Sequence, residues 1–215
     1  MPLTLYMHPL SSFCHKALIA LYENAIPFTP HIVDLSDPIA RGEFRTLWPI
    51  ARFPVLRDAA SPKIIPESTV IIEYLQQHYP GTVRLIPDEP ELAAQVRATD
   101  RFYDLNIHEP MQKVVTDRLR PADRHDPFGV EQARERMRTA LRMADSDMTT
   151  KRWAVGESFS MADCAAAPAL FYANRVLPLA DEFPHLKAYL GRLMMRPSYA
   201  RALAEAQPYF AMYPE

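Results

Sequence analysis

Glycine is scarce in this chain, with five residues in 215 against 21 prolines. No glycine-rich loop of the kind that holds nucleotide phosphates is present, which argues against a P-loop or a Rossmann-type dinucleotide site. Because proline lacks a backbone N–H and stops helices and strands, the many prolines are expected to mark the ends of segments.

Cysteine is also rare, and the two present, Cys14 and Cys164, have no metal-like spacing with the seven histidines. We therefore expect no metal site. Such sparse cysteine fits a reducing compartment better than a disulfide-built secreted domain. The residues after Met1 lack a signal-peptide pattern, so we expect a cytoplasmic protein.

Long hydrophobic runs and an excess of one charge are missing too. No stretch reaches the roughly 20 apolar residues of a membrane span, and the richest run, 164–173, is interrupted by Pro168. The formal net charge of -2 provides no field that would attract nucleic acid or an anionic membrane. We therefore expect neither a nucleic acid nor a membrane as a partner. The hydrophobic share of 48% is typical of a globular chain with a buried core.

The most informative stretch begins with the apolar alternation of residues 3–7, which predicts a strand. After Pro9 the pattern becomes helical, and Ser11 or Ser12 is the expected N-cap. A helix N-terminus that follows a strand forms an anion site. Taken alone, the stretch has an ordinary explanation, a serine cap with Cys14 as a small core residue.

The rest of the first 79 residues alternates between strand and helix signals. The patterns predict a strand within 28–34, a helix that ends at Leu47, strands at 55–56 and 63–65, and a helix from Ser68 to Tyr79. This order of elements indicates a small α/β sandwich with a mixed sheet.

The remainder of the chain carries helical patterns alone. Segment 80–90 is polar and bounded by prolines, so it is predicted to be a linker. Helical spacing from Glu91 reaches Pro110, which should kink or end the helix. Ser160 and Asp163 form a variant of the capping box before an apolar helix, which we expect at the centre of an α-bundle.

Three motifs of the N-terminal half resemble the thioredoxin-like domain of the glutathione transferase family. They are Ser11-Ser12-Phe13-Cys14, Arg52-Phe53-Pro54-Val55-Leu56 and Glu67-Ser68. The first is similar to the active-site turn of bacterial, serine-type members, with theta-, zeta- and phi-like character. The resemblance implies the glutathione transferase fold, with an α/β thioredoxin-like domain at 1–79, a linker at 80–90 and an all-α C-terminal helical bundle at 91–215.

The second and third motifs imply a glutathione site, with glutathione as co-substrate. A cis Pro54 would leave the backbone of Phe53 free to bind the cysteinyl part of the tripeptide. Glu67 would take the γ-glutamyl ammonium, and Ser68, at a helix N-terminus, the γ-glutamyl carboxylate. Arg52 would reach the glycyl carboxylate.

The resemblance makes Ser11 the expected catalytic residue, whose hydroxyl would stabilise the glutathione thiolate. Three rivals remain in the sequence. Ser12 would serve if the turn were shifted by one residue, and Tyr6 lies near the donor of the tyrosine-type classes. Cys14 lies in a first helical turn, where a thiol pKa can fall. However, Ser11 occupies the first position of the matching Cys-x-x-Cys pattern, so no dithiol cycle can run.

The electrophile pocket is expected between Pro9 and Leu10 on one side and the helix that carries Tyr103, Asn106 and His108 on the other. Asn106 and His108 cannot share one helix face with Tyr103, so not all three can line the pocket.

Together these features predict a cytosolic glutathione transferase that acts on a small hydrophobic electrophile, as a homodimer by family resemblance. A glutathione-dependent isomerase, reductase or dehalogenase is the first alternative. A non-catalytic interaction module on the same fold is the second. The intact motifs speak against the module, and the sequence does not identify the electrophile.

Overall fold

The N-terminal part of the protein is built on a four-stranded mixed sheet. The computed structural model describes residues 2–179 and 182–214, so Met1 and Glu215, the ends of the two expected domains, lie outside the described residues. The strands are β1 (Leu3–Met7), β2 (Thr29–Ile32), β3 (Val55–Asp58) and β4 (Ile64–Pro66). Their order is β2-β1-β3-β4, in which β1 pairs with β2 in parallel and β3 pairs with both neighbours antiparallel.

Three helices accompany this sheet, namely α1 (Ser12–Glu23), α2 (Pro38–Leu47) and α3 (Ser68–His78). Alternate residues of β1 are buried, as the sequence pattern predicts for a strand with one face in the core. The predicted strands and helices of this half are confirmed with shifts of a few residues at their ends. The fold is the small α/β domain that the sequence predicts.

The C-terminal part is helical. Its elements are α4 (Pro90–Phe102), a π-helix (Tyr103–His108), α5 (Glu109–Arg118), α6 (Pro127–Asp147), α7 (Met161–Val176), α8 (Pro184–Met194) and α9 (Pro197–Ala206), with short 3₁₀ segments at Ala122–Arg124 and Gln207–Met212. Helix α7 is buried on nearly all sides and packs against α1 and α4, which confirms its predicted central position. None of the described helices is both long and apolar enough to span a bilayer.

The capping box predicted before α7 is present. The backbone N–H of Ser160 donates to Oδ2 of Asp163 at 2.8 Å. Asp163 also accepts from the backbone N–H of Ala154 at 2.8 Å and from the hydroxyl of Tyr189 at 2.6 Å. The carboxylate therefore fixes both the start of the central helix and the loop before it.

Pro110 acts differently from a simple helix end. The helical path continues from Pro90 to Arg118, but it widens into the π-helix directly before the proline. The N–H of Glu109 donates to the carbonyl of Asp104, five residues earlier. Because proline has no N–H and its ring crowds the carbonyl four residues before it, one wider turn accommodates Pro110 without ending the helix.

Candidate functional site

A cavity of about 910 Å³ lies between the α/β part and the helical part. This volume is within the range of small-molecule sites, roughly 300–1,000 Å³. The structure brings all six residues of the expected glutathione site to its wall: Ser11, Arg52, Phe53, Pro54, Glu67 and Ser68. They come from three separate segments of the chain.

Ser11 is the N-cap of α1. Its backbone is extended (φ -75°, ψ 120°), and its Oγ accepts from the N–H of Cys14 at 3.3 Å. The backbone N–H of Ser11 donates to the carbonyl of His8 at 2.9 Å, which closes the turn after β1. Since Oγ only accepts in these contacts, the hydroxyl proton is available to a ligand. The positive end of the helix dipole lies at the same place.

The neighbouring hydroxyl of Ser12 has a partner in the helical part of the protein. Its Oγ is hydrogen-bonded to Nε2 of His108. Both residues are buried and both line the cavity. Burial, with a smaller effect from the charge of Lys16, lowers the pKa of His108 to about 3, so the imidazole is neutral near pH 7.

The other two rivals of Ser11 are less available. Burial raises the pKa of the Cys14 thiol to about 12. Cys14 is fully buried and lies outside the cavity lining. Tyr6 also lies outside the lining, and its ring packs against those of His31 and Phe44 at centroid distances of 4.7 and 6.0 Å.

The peptide bond between Phe53 and Pro54 is cis. The strand β3 starts one residue later, at Val55. No backbone hydrogen bond joins Phe53 to another described residue. Its N–H and carbonyl therefore resemble the free edge of a strand, to which an extended peptide can bind.

Glu67 and Ser68 stand at the start of α3. Glu67 has a positive φ of 70°, a backbone conformation that non-glycine residues seldom adopt and that costs about 1–3 kcal/mol. Its carbonyl accepts from the N–H of Ile71 at 2.8 Å, so the strained residue caps the helix. Ser68 is buried, whereas the side chains of Glu67 and Arg52 are exposed. Arg52 forms no ion pair with the described residues.

The five residues expected in the electrophile pocket are placed differently from one another. Leu10 and His108 line the cavity. Tyr103 is buried in the core, Asn106 is exposed, and neither these two nor Pro9 belongs to the lining. Tyr103 lies in the core and His108 on the cavity wall, in agreement with the expectation that the two side chains do not line the pocket together.

Lys16 is the centre of a buried ionic cluster that sequence reasoning missed. Its Nζ lies 2.6 Å from Oδ1 of Asp100, 2.7 Å from Oδ2 of Asp104 and 2.8 Å from Oγ1 of Thr69. Burial lowers the pKa of Lys16 to about 8, and Asp100 opposes that shift. The cluster joins α1 to α4 and reaches the residue after Ser68. Amphipathic spacing carries no signal for it, because the lysine lies in a run of apolar positions.

Several other lining residues were also not predicted. His8 stacks on Phe53 with ring centroids 6.0 Å apart. Tyr172 of α7 donates its hydroxyl proton to the carbonyl of Leu10 at 2.7 Å. Residues 212–214 lie at the cavity, where Tyr213 is part of the wall and the carbonyl of Pro214 accepts from the side chain of Arg118 at 3.0 Å. These contacts are long-range, so no local pattern identifies them.

Family models match both parts of the chain. The model described as "Glutathione S-transferase, N-terminal domain" matches residues 5–83, and the one described as "Glutathione S-transferase, C-terminal domain" matches residues 111–197. A maleylacetoacetate isomerase from Aspergillus fumigatus is 30% identical over 95% of this chain and 91% of its own length. A stringent starvation protein A homolog from Pasteurella multocida is 26% identical over 96% of this chain and 92% of its own length.

Solved structures give the same result for the fold. A glutathione S-transferase from Methylobacillus flagellatus, crystallised with glutathione bound, aligns with a TM-score of 0.85 at 26% identity, over 93% of this chain and 98% of that one. The chain belongs to the glutathione transferase family. Its fold is that of the family, a small α/β domain with a mixed four-stranded sheet followed by a helical domain.

Proposed function

We propose that this protein is a glutathione transferase in which the Ser11 hydroxyl stabilises the glutathione thiolate for attack on a small hydrophobic electrophile. The observation that carries the proposal is the position of Ser11. It caps α1 on the wall of the cavity that also holds Arg52, Phe53 and the Glu67-Ser68 pair. The thioredoxin-like domain would span residues 1–79, the linker 80–90 and the helical domain 91–215.

The energies are sufficient for this role. A free thiol has a pKa near ~8.5, and lowering it to ~6.5 requires roughly 2.7 kcal/mol. A hydrogen bond to a charged group supplies about 1.5–3 kcal/mol, and a helix N-terminus adds about 0.3–1 kcal/mol. Ser11 supplies the first contribution and α1 the second, so neither a metal nor a separate base is needed.

The rest of the tripeptide fits the other groups on the wall. The unpaired backbone of Phe53 suits its cysteinyl part, and the start of α3 suits a carboxylate. Arg52 and Glu67 supply one charge of each sign at the exposed ends of this path. The structural relative from Methylobacillus flagellatus was crystallised with glutathione bound, which supports the same ligand here.

A glutathione-dependent isomerase is the second candidate. The similarity to a protein named maleylacetoacetate isomerase favours it, at 30% identity across nearly the whole chain. Both reactions use the same thiolate, so they differ in the electrophile and in what happens after the thiolate adds. The two candidates are separated by their products, a stable conjugate or a released isomer of the substrate.

Assembly as a homodimer in the cytoplasm belongs to the same proposal. The family is commonly dimeric. Val70 on α3 and Leu92 on α4 are exposed, and exposed apolar side chains suit an interface. Sedimentation equilibrium should give twice the mass of 24.6 kDa; a single-chain mass would contradict this part.

The experiment that tests the function begins with retention on immobilised glutathione. Conjugation of an aryl halide, reduction of a mixed disulfide and cis–trans isomerisation of a maleyl compound then separate the candidate reactions.

Arg52→Met should weaken glutathione binding about tenfold or more, because a charged hydrogen bond is lost. Arg57→Met is the matched control, since Arg57 is exposed on β3 and lies outside the cavity lining. Failure of the wild-type protein to bind glutathione would overturn the proposal.

A further inference from the structure

His15 makes two hydrogen bonds to the turn that carries Ser11. Its backbone N–H donates to the carbonyl of Ser11 at 2.9 Å, the first intrahelical bond of α1. Its ring atom Nε2 lies 2.6 Å from the carbonyl oxygen of Pro9, two residues before Ser11. One residue is therefore bonded to both ends of the short segment from Pro9 to Ser11.

The position of the proton on the His15 ring follows from its partner. A carbonyl oxygen only accepts hydrogen bonds, so the contact with Pro9 requires a proton on Nε2. With the proton on Nδ1, two acceptors would face each other at 2.6 Å, and a buried N–H would have no acceptor among the described residues. Burial lowers the pKa of His15 to about 4, so the ring is neutral near pH 7 and carries this single proton.

The ring of His15 is fully buried, and aromatic residues pack against it. The ring centroids of Tyr172 and Tyr199 each lie 5.9 Å from that of His15. Tyr172 also donates its hydroxyl proton to the carbonyl of Leu10 at 2.7 Å. The consecutive carbonyls of Pro9 and Leu10 are therefore held by two side chains that pack against each other.

The other backbone groups of the segment are paired as well. The N–H of Leu10 donates to Nδ1 of His8 at 3.2 Å, and the N–H of Ser11 donates to the carbonyl of His8 at 2.9 Å. Because proline has no N–H, every backbone donor and acceptor from Pro9 to Ser11 has a partner. A turn fixed in this way holds the residue that it carries in one position.

We propose that His15 is a positioning residue of the reaction: its Nε2–H holds the carbonyl of Pro9 and thereby aims the hydroxyl of Ser11 at the glutathione sulfur. The proposal rests on the glutathione transferase function given above and adds a residue to it. His15 lies outside the cavity lining. It therefore acts through the backbone of the turn and not by contact with the tripeptide.

The orientation of the Ser11 hydroxyl matters because a hydrogen bond weakens steeply as its angle departs from linear. A donor stabilises a developing charge best when it is already in place before the charge forms. A displacement of about 1 Å in an active site can cost about 10²-fold in rate. Loss of the His15 hydrogen bond would release the carbonyl of Pro9, so the turn could relax and the donor would be less well placed.

The test is the pH titration of the thiolate of bound glutathione in His15→Phe and His15→Gln. Phenylalanine keeps an aromatic ring but has no donor, so the midpoint should rise by about one pH unit, a tenfold change in the thiolate equilibrium. Glutamine places an amide N–H near the position of Nε2 and should return the midpoint most of the way to the wild-type value. A wild-type midpoint in His15→Phe, with a raised midpoint in Ser11→Ala, would overturn this proposal and leave the function intact. If Ser11→Ala also keeps the wild-type midpoint, the proposed function fails as well.

Tyr189→Phe is the matched control for a general loss of stability. It removes another buried hydrogen bond of 2.6 Å, from Tyr189 to Asp163 within the helical part, and should keep the wild-type midpoint. A shift as large as that in His15→Phe would mean that destabilisation alone moves the midpoint, and would overturn the proposal.

S-methylglutathione separates positioning of the donor from binding of the tripeptide. This ligand has no thiol proton and forms no thiolate, so His15→Phe should bind it as tightly as the wild type does in calorimetric titration. Weaker binding of S-methylglutathione by the variant would contradict the positioning role, because the damage would then extend beyond the sulfur.

A spectroscopic test needs no bound glutathione. In protein labelled with ¹⁵N-histidine, the resonances missing from His15→Gln belong to His15. At neutral pH they should report an uncharged ring protonated at Nε2. A ring protonated at Nδ1 would overturn the proposal, because the carbonyl of Pro9 would then receive no hydrogen bond from His15.

Discussion

The hydroxyl of Tyr172 donates a hydrogen bond of 2.7 Å to the carbonyl oxygen of Leu10, the residue directly before the proposed catalytic serine. Tyr172 lies on α7, the buried central helix of the C-terminal part. The turn that carries Ser11 is therefore held by the helical part of the protein as well as by its own domain. Through this hydrogen bond, the helical part helps to fix the position of Ser11.

Tyr172→Phe should consequently lower both stability and glutathione affinity. Loss of the bond leaves the Leu10 carbonyl without its partner, which should reduce the free energy of unfolding by about 1–3 kcal/mol. Tyr189→Phe is the matched control, since that hydroxyl donates to Asp163 at 2.6 Å, within the helical part. Urea unfolding and calorimetric titration with glutathione measure the two effects. An equal loss of affinity in both variants would contradict a special role for Tyr172.

Lys16→Met should be strongly destabilising. The substitution removes the buried cation of Asp100 and Asp104 and leaves them only the pairing with Arg101, whose side chain is exposed. Breaking a buried ion pair costs about 3–5 kcal/mol. Lys151→Met provides the comparison, because the pair of Lys151 with Asp147, at 2.9 Å, is exposed. That change should cost less than about 1 kcal/mol. Similar losses for the two variants in urea unfolding would show that the buried cluster contributes little to stability.

Ser160→Ala should affect folding and leave the site unchanged. The capping box starts α7 away from the cavity, and loss of a serine cap costs about 0.5–2 kcal/mol. The folded variant should bind glutathione as tightly as the wild type in calorimetric titration. Weaker binding at a temperature where the variant is fully folded would mean that the cap also supports the site.

Stability should fall as the pH drops below about 6.5 because of two buried histidines. Burial lowers the pKa of His15 to about 4 and that of His108 to about 3, from an ordinary value of 6.5. The unfolded chain therefore binds more protons than the folded one between pH 6.5 and these values, and acid favours unfolding. Each histidine should remove about 2 kcal/mol between pH 7 and pH 5.

His108→Gln separates this effect from other acid effects. The variant lacks one of the two titrating groups, so about 2 kcal/mol of the change in unfolding free energy between pH 7 and pH 5 should disappear. Urea unfolding at both pH values measures the difference. A variant with the same pH dependence as the wild type would contradict the buried, neutral state of His108.

Local signals were sufficient for much of the fold. The alternation of residues 3–7 and the serine before the first helix predict β1 and the start of α1, because strand periodicity and N-capping depend on neighbouring residues alone. The capping box at Ser160 is predictable for the same reason. The cis bond before Pro54 was expected from the family resemblance, and the structure confirms it.

Features that depend on distant partners or on exact backbone geometry could not be predicted. The carboxylate partners of Lys16, Asp100 and Asp104, lie about 90 residues further along the chain. No residue near Lys16 in the sequence indicates this ion pairing. Pro110 predicts a disturbed helix, but a local pattern does not distinguish a π-helix from a kink or an end. The positive φ of Glu67 is likewise not marked by its residue type. His108 was expected in the pocket, but its hydrogen bond to Ser12 could be predicted only from the way the α/β part and the helical part pack together.

The most direct test of the account is the absorbance titration of the glutathione thiolate bound to wild type, Ser11→Ala and Cys14→Ala. We expect a midpoint near ~6.5 for the wild type and a shift toward the free-thiol value of ~8.5 for Ser11→Ala, since the hydroxyl donor is lost. Cys14→Ala should keep the wild-type midpoint, because Cys14 is fully buried. An unchanged midpoint in Ser11→Ala would contradict the central claim that this hydroxyl stabilises the thiolate.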